Sequence, residues 1–523
     1  MTLATDWVAF HADRTPDKLA MIDQGTGQRF TYAEFDNRCG RLAAFMRDEW
    51  HIQHGDRVAI LAKNSVEFFT FQFACVKLGA IMLPLNWRLA VPELLFILDD
   101  AAPRALLYDN EFAPFIPRLL ADTPLEYVLR LDLGDAPSDG QTAYETALNA
   151  TQRTVAMHPA THHDTVMTIM YTAGTTGNPK GVLITHGMTF WNMINISTPT
   201  GINLNSVNYT VLPTFHTGGL NLYANPVVHM GGTNIIARSF DPAEALRTLS
   251  AHEPRVTHFL GVPAVYLFMS EHDDFDGTDL SGVESWGCGG APLPVPVLKR
   301  YAARGILIQP GFGMTETSPT VFLMAKRRVL DKPTSVGRPM PHTRVRIIDA
   351  DGHDVLPGEV GEVAIGGPNI TPGYWRRPDA NQENFFTDEV GVRWIRSGDA
   401  GMMDEDGCVY IVDRYKDMYI SGGENVYPAE VEKVIEQLEA VLEVGVIGVP
   451  DEKWGEVGKA IIALKKDRSL APEEVIAHCR ANLAKYKIPK SVEYIDALPR
   501  NAAGKVLKRE LRKQFTPETR ENL

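Results

Sequence analysis

Val58-Ala-Ile-Leu-Ala62, the segment from Phe68 to Leu78, and Ala80-Ile-Met-Leu-Pro84 decide the fold class. The two short runs are continuously apolar and bounded by Gly, Asp or Pro, as buried strands are, and the stretch between them suits a helix. This β–α–β rhythm predicts a largely parallel sheet covered on both faces, hence an α/β protein. Upstream, Thr31-Tyr-Ala-Glu34-Phe has the form of a helix start, with Thr31 at the N-cap and Glu34 three residues on.

The character changes between about Val345 and Gly367. There the turn pairs Asp351-Gly352 and Pro357-Gly358 separate short runs, Val345-Arg-Ile-Ile and Glu362-Val-Ala-Ile. A small antiparallel or barrel-like part is expected. A second change comes near Asp413, after the strand-like Cys408-Val-Tyr-Ile-Val. Beyond it, Pro428 opens a helix whose Val431, Val434, Ile435 and Leu438 share one face. Val444-Gly-Val-Ile and Ala460-Ile-Ile-Ala-Leu then read as strands. The expected organisation is a large N-terminal domain, 1–413, and a smaller α+β C-terminal domain, 414–523.

At 523 residues the chain exceeds one compact core. With 51 basic against 65 acidic residues the net charge is −14, which argues against non-specific nucleic-acid binding. A polyanionic ligand must then be met by locally placed cations, backbone N–H groups or a metal ion. The five cysteines are widely spaced with no CxxC pair, so neither a zinc ribbon nor a disulfide framework is expected. They read as small buried residues in a reducing compartment. No run approaches the roughly 18 apolar residues of a transmembrane helix. The amino terminus has no signal-peptide pattern, so the cytoplasm is the expected location. A peripheral membrane contact and a homodimer stay open.

The chemistry is concentrated in Tyr171-Thr-Ala-Gly-Thr-Thr-Gly-Asn-Pro-Lys180-Gly-Val182. Glycines let consecutive N–H groups converge on anionic oxygens. Thr172, Thr175 and Thr176 add hydroxyls, Lys180 adds a point charge, and Gly174 and Gly177 give the backbone its freedom. A P-loop requires G-x-x-x-x-G-K-[ST] opening a helix. Here Asn178 and Pro179 separate Gly177 from Lys180, Gly181 replaces Ser or Thr, and Val182-Leu-Ile-Thr looks like a strand. The phosphate loop is therefore not of the Walker kind.

This loop, Gly287-Cys-Gly-Gly-Ala-Pro, Gly311-Phe-Gly-Met-Thr-Glu-Thr, Arg396-Ser-Gly-Asp399 with Asp413-Arg-Tyr-Lys-Asp, and Pro499-Arg-Asn-Ala-Ala-Gly-Lys505 follow one another along nearly the whole chain. Together they resemble the adenylate-forming superfamily, in its acyl-CoA synthetase and acid–CoA ligase branch. The resemblance implies two αβ-layered sheets and a small barrel-like part in the large domain, and a mobile C-terminal domain hinged at 414–417 about Lys416. It implies that ATP and CoA are co-substrates and that Mg²⁺ is held by Glu316. The ATP or AMP site it implies comprises Thr172, Gly174, Thr175, Thr176, Gly177, Lys180, Gly290, Ala291, Pro292, Gly311, Phe312, Gly313, Met314, Thr315, Asp399, Arg414 and Lys505. The catalytic set is Lys505, Thr315, Glu316 and His216, with Lys505 bridging the substrate carboxylate and the α-phosphate. His216, Gly219, Val262, Gly289, Gly290 and Gly313 line the expected acyl pocket, and Gly422, Gly423 and Glu424 the path of pantetheine. One departure stands out, since Phe312 occupies a position where the family usually has tyrosine.

The expected reaction is attack of a carboxylate on the α-phosphate, followed by attack of the CoA thiolate on the acyl carbon. An amino-acid-activating domain would carry Phe-Asp where this chain has Phe215-His216. A luciferase-like oxygenase and a non-catalytic acyl-nucleotide binder are the other readings, and the presence of Lys505, Glu316, Asp399 and Lys180 argues against the binder. The apolar Phe259-Leu-Gly-Val-Pro-Ala-Val-Tyr266 segment suggests a hydrophobic acid. A medium- or long-chain fatty acid is the first expectation and a hydroxycinnamic-type aryl acid the alternative. His162-His163 reads as a solvated turn and Lys508 as a surface residue.

Overall fold

A computed structural model describes residues 2–131, 143–172, 179–414, 417–421, 424–451, 454–483, 485–500 and 506–516. Its Cα packing divides into two compact units, one of Met1–Arg344 with Ile365–Ile395 and one of Val345–Ala364 with Arg396–Leu523.

The larger unit holds two sheets. In the six-stranded one, Arg57–Leu61 and Ile81–Pro84 run parallel with Val66–Leu78 as the helix between them, as the sequence suggests. Ser65 caps that helix and Gly79, at φ 65°, ends it. Val58 and Ile60 enter one buried cluster while Ala59 and Leu61 enter another. Both faces of the strand are covered, which is why the run is apolar without alternation. Val166–Thr172 and Lys180–Thr185 close this sheet as an antiparallel pair. The nine-stranded sheet is parallel through Ile308–Gly313, Ser285–Cys288, His258–Gly261, Val207–Thr210, Thr233–Ile236 and Leu19–Asp23. Thr31 caps Tyr32–Asp48 in a full capping box with Glu34.

The smaller unit contains a five-stranded sheet in which Val441–Asp451 and Gly455–Leu464 form a long antiparallel pair. Ala460 and Ile462 pack with Val431, Ile435 and Val475 on one face. Ile461 packs with Leu498 and Leu511 on the other. The helix opened by Pro428 ends at Ile435, so Leu438 lies beyond it, although Val434 and Leu438 still pack against the same cluster. The Val345–Gly367 region supplies Arg344–Ile348 and Val360–Gly366 to a second five-stranded sheet.

All five cysteines are buried and free. Among the described residues no helix is long and apolar enough to cross a membrane. His162 and His163 are half-buried rather than solvated, because His162 bridges to Leu3 and His163 packs on Phe190.

Candidate active site

Four neighbouring parallel strands of the nine-stranded sheet end on the same edge, and several of the expected site residues follow those ends. Val207–Thr210 leads to His216, His258–Gly261 to Val262, Ser285–Cys288 to Gly289-Gly290-Ala291-Pro292, and Ile308–Gly313 to Met314-Thr315-Glu316. Carboxyl ends of parallel strands are where open α/β sheets bind ligands. Gly290, Ala291, Pro292 and Gly313 are exposed, while Gly311, Phe312 and Met314 are half-buried. A Cβ on Gly313 would fall 1.9 Å from the Pro319 carbonyl oxygen, so the chain can turn there only with glycine. Phe312 packs against Phe322, with ring centroids 5.8 Å apart.

Thr315–Thr317 forms a single 3₁₀ turn held by its own third residue. The Thr317 Oγ1 accepts from the Met314 N–H at 3.1 Å, and Thr315 and Glu316 are each only 8% exposed. The turn is fastened from outside by asparagines. Asn369 Nδ2 donates to the carbonyls of Thr317 (2.8 Å) and Thr320 (3.2 Å). Asn192 accepts from the Thr320 N–H (3.1 Å) and donates to the Asn221 carbonyl (2.8 Å), which ties this motif to the segment after His216.

Glu316 has a partner that the sequence did not single out. The Tyr374 hydroxyl donates to Glu316 Oε1 at 3.0 Å, and Tyr374 is only 7% exposed. The Lys180 ammonium lies 5.5 Å from the centre of the Tyr374 ring. The backbone holds this arrangement. Tyr374 bridges Val182, the Trp375 N–H donates to Gly181 O at 2.7 Å, and the Thr371 N–H donates to Glu316 O at 2.8 Å. Burial, then the neighbouring Glu316 charge, pushes the Tyr374 phenol well above its ordinary range. It therefore stays a proton donor at any working pH. The Pro372-Gly373 pair marks a turn in the sequence, but nothing there marks the hydroxyl.

Thr172 and Lys180 stand opposite each other at the end of their antiparallel ladder, with Thr172 Oγ1 3.4 Å from Lys180 O. Gly174, Thr175, Thr176 and Gly177 lie outside the described residues. Tyr171 just before them is anchored on Asp100, which also accepts from Arg377 at 2.7 Å.

His216 is exposed, and its ring lies 5.8 Å from that of Phe215, centroid to centroid. Its pKa is lowered by the crowding of protein around it and then by the Arg88 guanidinium, so the ring is held neutral. Gly219 is tightly packed, since a Cβ there would meet Pro213 O at 2.2 Å. Val262 is half-buried at the N-cap of Pro263–Glu271. Of the apolar Phe259–Tyr266 segment, Phe259, Leu260, Val265 and Tyr266 are spent in the core, which leaves Val262, Pro263 and Ala264 with accessible surface.

In the smaller unit Asp399 stands opposite Arg414 in the strand register. The Asp399 N–H donates to Ser397 Oγ at 3.1 Å. Glu362 pins this turn by accepting from Arg396 (2.8 Å) and the Gly398 N–H (3.1 Å). The side chains of Arg414 and Glu424 lie outside the described residues, as do Lys416, Gly422, Gly423 and Lys505. Lys508 is not a free surface residue. Its ammonium pairs with Glu432 at 2.9 Å and is 11% exposed, because its helix packs on the strand Val441–Asp451.

The donor set at Glu316 is compatible with Mg²⁺, which is commonly held by one or two carboxylates together with substrate phosphates. The one cluster of three candidate metal-ligating side chains among the described residues is half-buried Asp349 with exposed Asp351 and His353, in the other unit.

Comparison with known proteins agrees with this geometry. The model of the AMP-binding enzyme family matches residues 8–375, and that of the AMP-binding enzyme C-terminal domain matches residues 430–505. The chain is 38% identical to a feruloyl-CoA synthase of an Amycolatopsis species, over 97% of this chain and 98% of that one. It is 36% identical to a long-chain-fatty-acid–CoA ligase of Mycobacterium tuberculosis, over 96% of each. The o-succinylbenzoate CoA synthetase of Bacillus subtilis, solved with its acyl-adenylate intermediate, superposes with a TM-score of 0.87 at 30% identity, covering 99% of this chain and 100% of that one. The chain belongs to the AMP-binding enzymes, in their acid–CoA ligase branch.

Proposed function

We propose that this acid–CoA ligase activates a hydrophobic carboxylic acid in two half-reactions divided among the residues that the sequence motifs single out. In the first, a carboxylate oxygen bonds to the α-phosphorus of ATP as the bond to the bridging oxygen breaks, which gives acyl-adenylate and pyrophosphate. The Thr172–Lys180 loop holds the departing pyrophosphate. Thr315 donates to the α-phosphate, and Lys505 bridges the carboxylate and that phosphate. Glu316 would help to hold a magnesium ion, which would supply neutralisation of the charge that builds on pyrophosphate. The observation that carries this reading is the Lys180–Tyr374–Glu316 group, which gathers a cation, a hydroxyl and a buried carboxylate beside the edge where four strands end.

In the second half-reaction the CoA thiolate attacks the acyl carbon and AMP leaves. Gly290-Ala291-Pro292 and Phe312 would face adenine, and Asp399 and Arg414 the ribose and phosphate. Gly422, Gly423 and Glu424 would flank pantetheine, and neutral His216 would stand at the acyl entrance. Lys505 serves the first step and Gly422-Gly423 the second, so the domain from 414 would turn about Lys416 between them. The cytoplasm, where ATP and CoA are at hand, suits this reaction.

The relatives bring two acids to consider, a long-chain fatty acid and a hydroxycinnamic acid. Pyrophosphate release measured with aliphatic and aromatic acids tests the function. Acid-dependent formation of AMP and pyrophosphate supports it, and acid-independent formation of ADP refutes it.

A further inference from the structure

The glycines of Gly287-Cys-Gly-Gly show where the ground beside the strand ends is open and where it is filled. Gly287 and Gly289 are two residues apart, so they present the same face of the extended chain. Gly289 keeps the ladder, with its N–H donating to Gly261 O at 3.4 Å. A Cβ on Gly289 would meet nothing closer than Gly311 O at 3.8 Å, and one on Gly218 would meet nothing within 4 Å. A Cβ on Gly287 would instead lie 2.7 Å from the Tyr223 hydroxyl and 3.0 Å from Leu260 Cδ1. The same face therefore passes from open to filled within one pleat repeat, about 6.6 Å.

Tyr223 is well fixed in that position. It sits between the π-turn Gly218–Leu222 and the helix Ala224–His229, only four residues beyond Gly219. Its hydroxyl is 2.9 Å from Ser285 Oγ, and its ring packs edge-on against His258 with centroids 5.8 Å apart. Ile196, Ile202, Val227, Leu260 and Met340 surround it in one buried cluster. The ring is thus held by a strand residue, by its buried neighbours and by a hydrogen bond at once.

We infer that Tyr223 is the floor of the acyl site and restricts this ligase to acids about one aromatic ring deep, such as cinnamic-type or short-chain acids. The inference rests on the acid–CoA ligase reading and on placing the acyl group along the Gly289 face. A chain of sixteen carbons would have to displace Tyr223, whereas a planar ring ends above it. This resolves the choice between the two kinds of acid in favour of the aryl class.

The test is the dependence of pyrophosphate release on acid length, using cinnamic acid and linear acids from hexanoate to hexadecanoate. It compares the wild type with Tyr223→Ala and with Tyr223→Leu, which keeps apolar bulk near the floor and guards against loss of fold. The wild type is expected to favour cinnamate, and its kcat/KM to fall steeply beyond octanoate. In the variants dodecanoate should gain at least about tenfold relative to hexanoate, the scale on which hydrophobic pockets discriminate chain length, with KM for ATP unchanged. Equal use of hexadecanoate and cinnamate by the wild type overturns the floor. So does an unchanged length profile in a folded variant. No pyrophosphate with any acid overturns the ligase reading itself, and the floor with it.

Discussion

Replacing Tyr374 by phenylalanine removes one oxygen and leaves the ring facing Lys180, so it isolates the hydrogen bond to Glu316. That bond is 3.0 Å long and ends on a carboxylate that is 8% exposed. Water is poorly placed to substitute for the lost donor. A hydrogen bond to a charged group contributes about 1.5–3 kcal/mol, which corresponds to about a 10- to 150-fold change in an equilibrium or rate. The loss should fall on the half-reaction that uses Glu316. Pyrophosphate release measured across a magnesium titration should drop by that factor at low magnesium and recover in part at saturation. Thioester formation from supplied acyl-adenylate should be unaffected. In Glu316→Gln the further change Tyr374→Phe should add little, since the two side chains act as a unit. A change below about twofold at every magnesium concentration would refute the coupling, as would equal loss in both half-reactions.

Three other outcomes are expected. Burial, foremost, lowers His186 to about 3 and His229 and His258 to about 4. The unfolded chain takes up these protons near pH 6.5 and the folded one only at about 4 or below, so stability is lost as pH falls through that window, by up to about 1.4 kcal/mol per group per pH unit. The urea midpoint should therefore be lower at pH 5 than at pH 7, with a shallower fall in His186→Gln, and a flat profile would contradict this. Lys77, 2% exposed, pairs with Asp6 and Asp36 at 2.7 Å each. Burial opposes its charge, but the two carboxylates outweigh it and hold the pKa above the ordinary value. Lys77→Met should cost about 3–5 kcal/mol by stranding those carboxylates, and a denaturation midpoint within error of wild type would show that they find other partners. Lys505→Ala should abolish acyl-adenylate formation yet spare CoA transfer from supplied adenylate, so equal loss in both steps would end the division of labour.

The elements legible in the sequence were those whose signal is local. Val58–Ala62 and Ala80–Pro84 announce strands covered on both faces because no polar residue interrupts them, and Thr31 with Glu34 announces a helix start within four residues. The glycine-bearing motifs were also legible, since Gly313 has no room for a side chain. Contacts made across the fold were not. Tyr374 meets Glu316 from 58 positions away, and Asn192 reaches Thr320 from 128. Neither residue differs in type from the many that only pack. The Phe259–Tyr266 run misled in the opposite way, because its apolar side chains mostly serve the core and not the pocket. Lys508 looked solvated because its partner Glu432 is remote in sequence.

The central claim is that the substrate carboxylate itself attacks the α-phosphate. Acid labelled with heavy oxygen in both carboxylate positions, turned over with ATP and CoA, tests this by mass spectrometry of the products. One labelled oxygen should appear in AMP and none in pyrophosphate, because the bond formed in the first step keeps that oxygen when the acyl group leaves. Unlabelled AMP, or label in pyrophosphate or inorganic phosphate, would contradict the account.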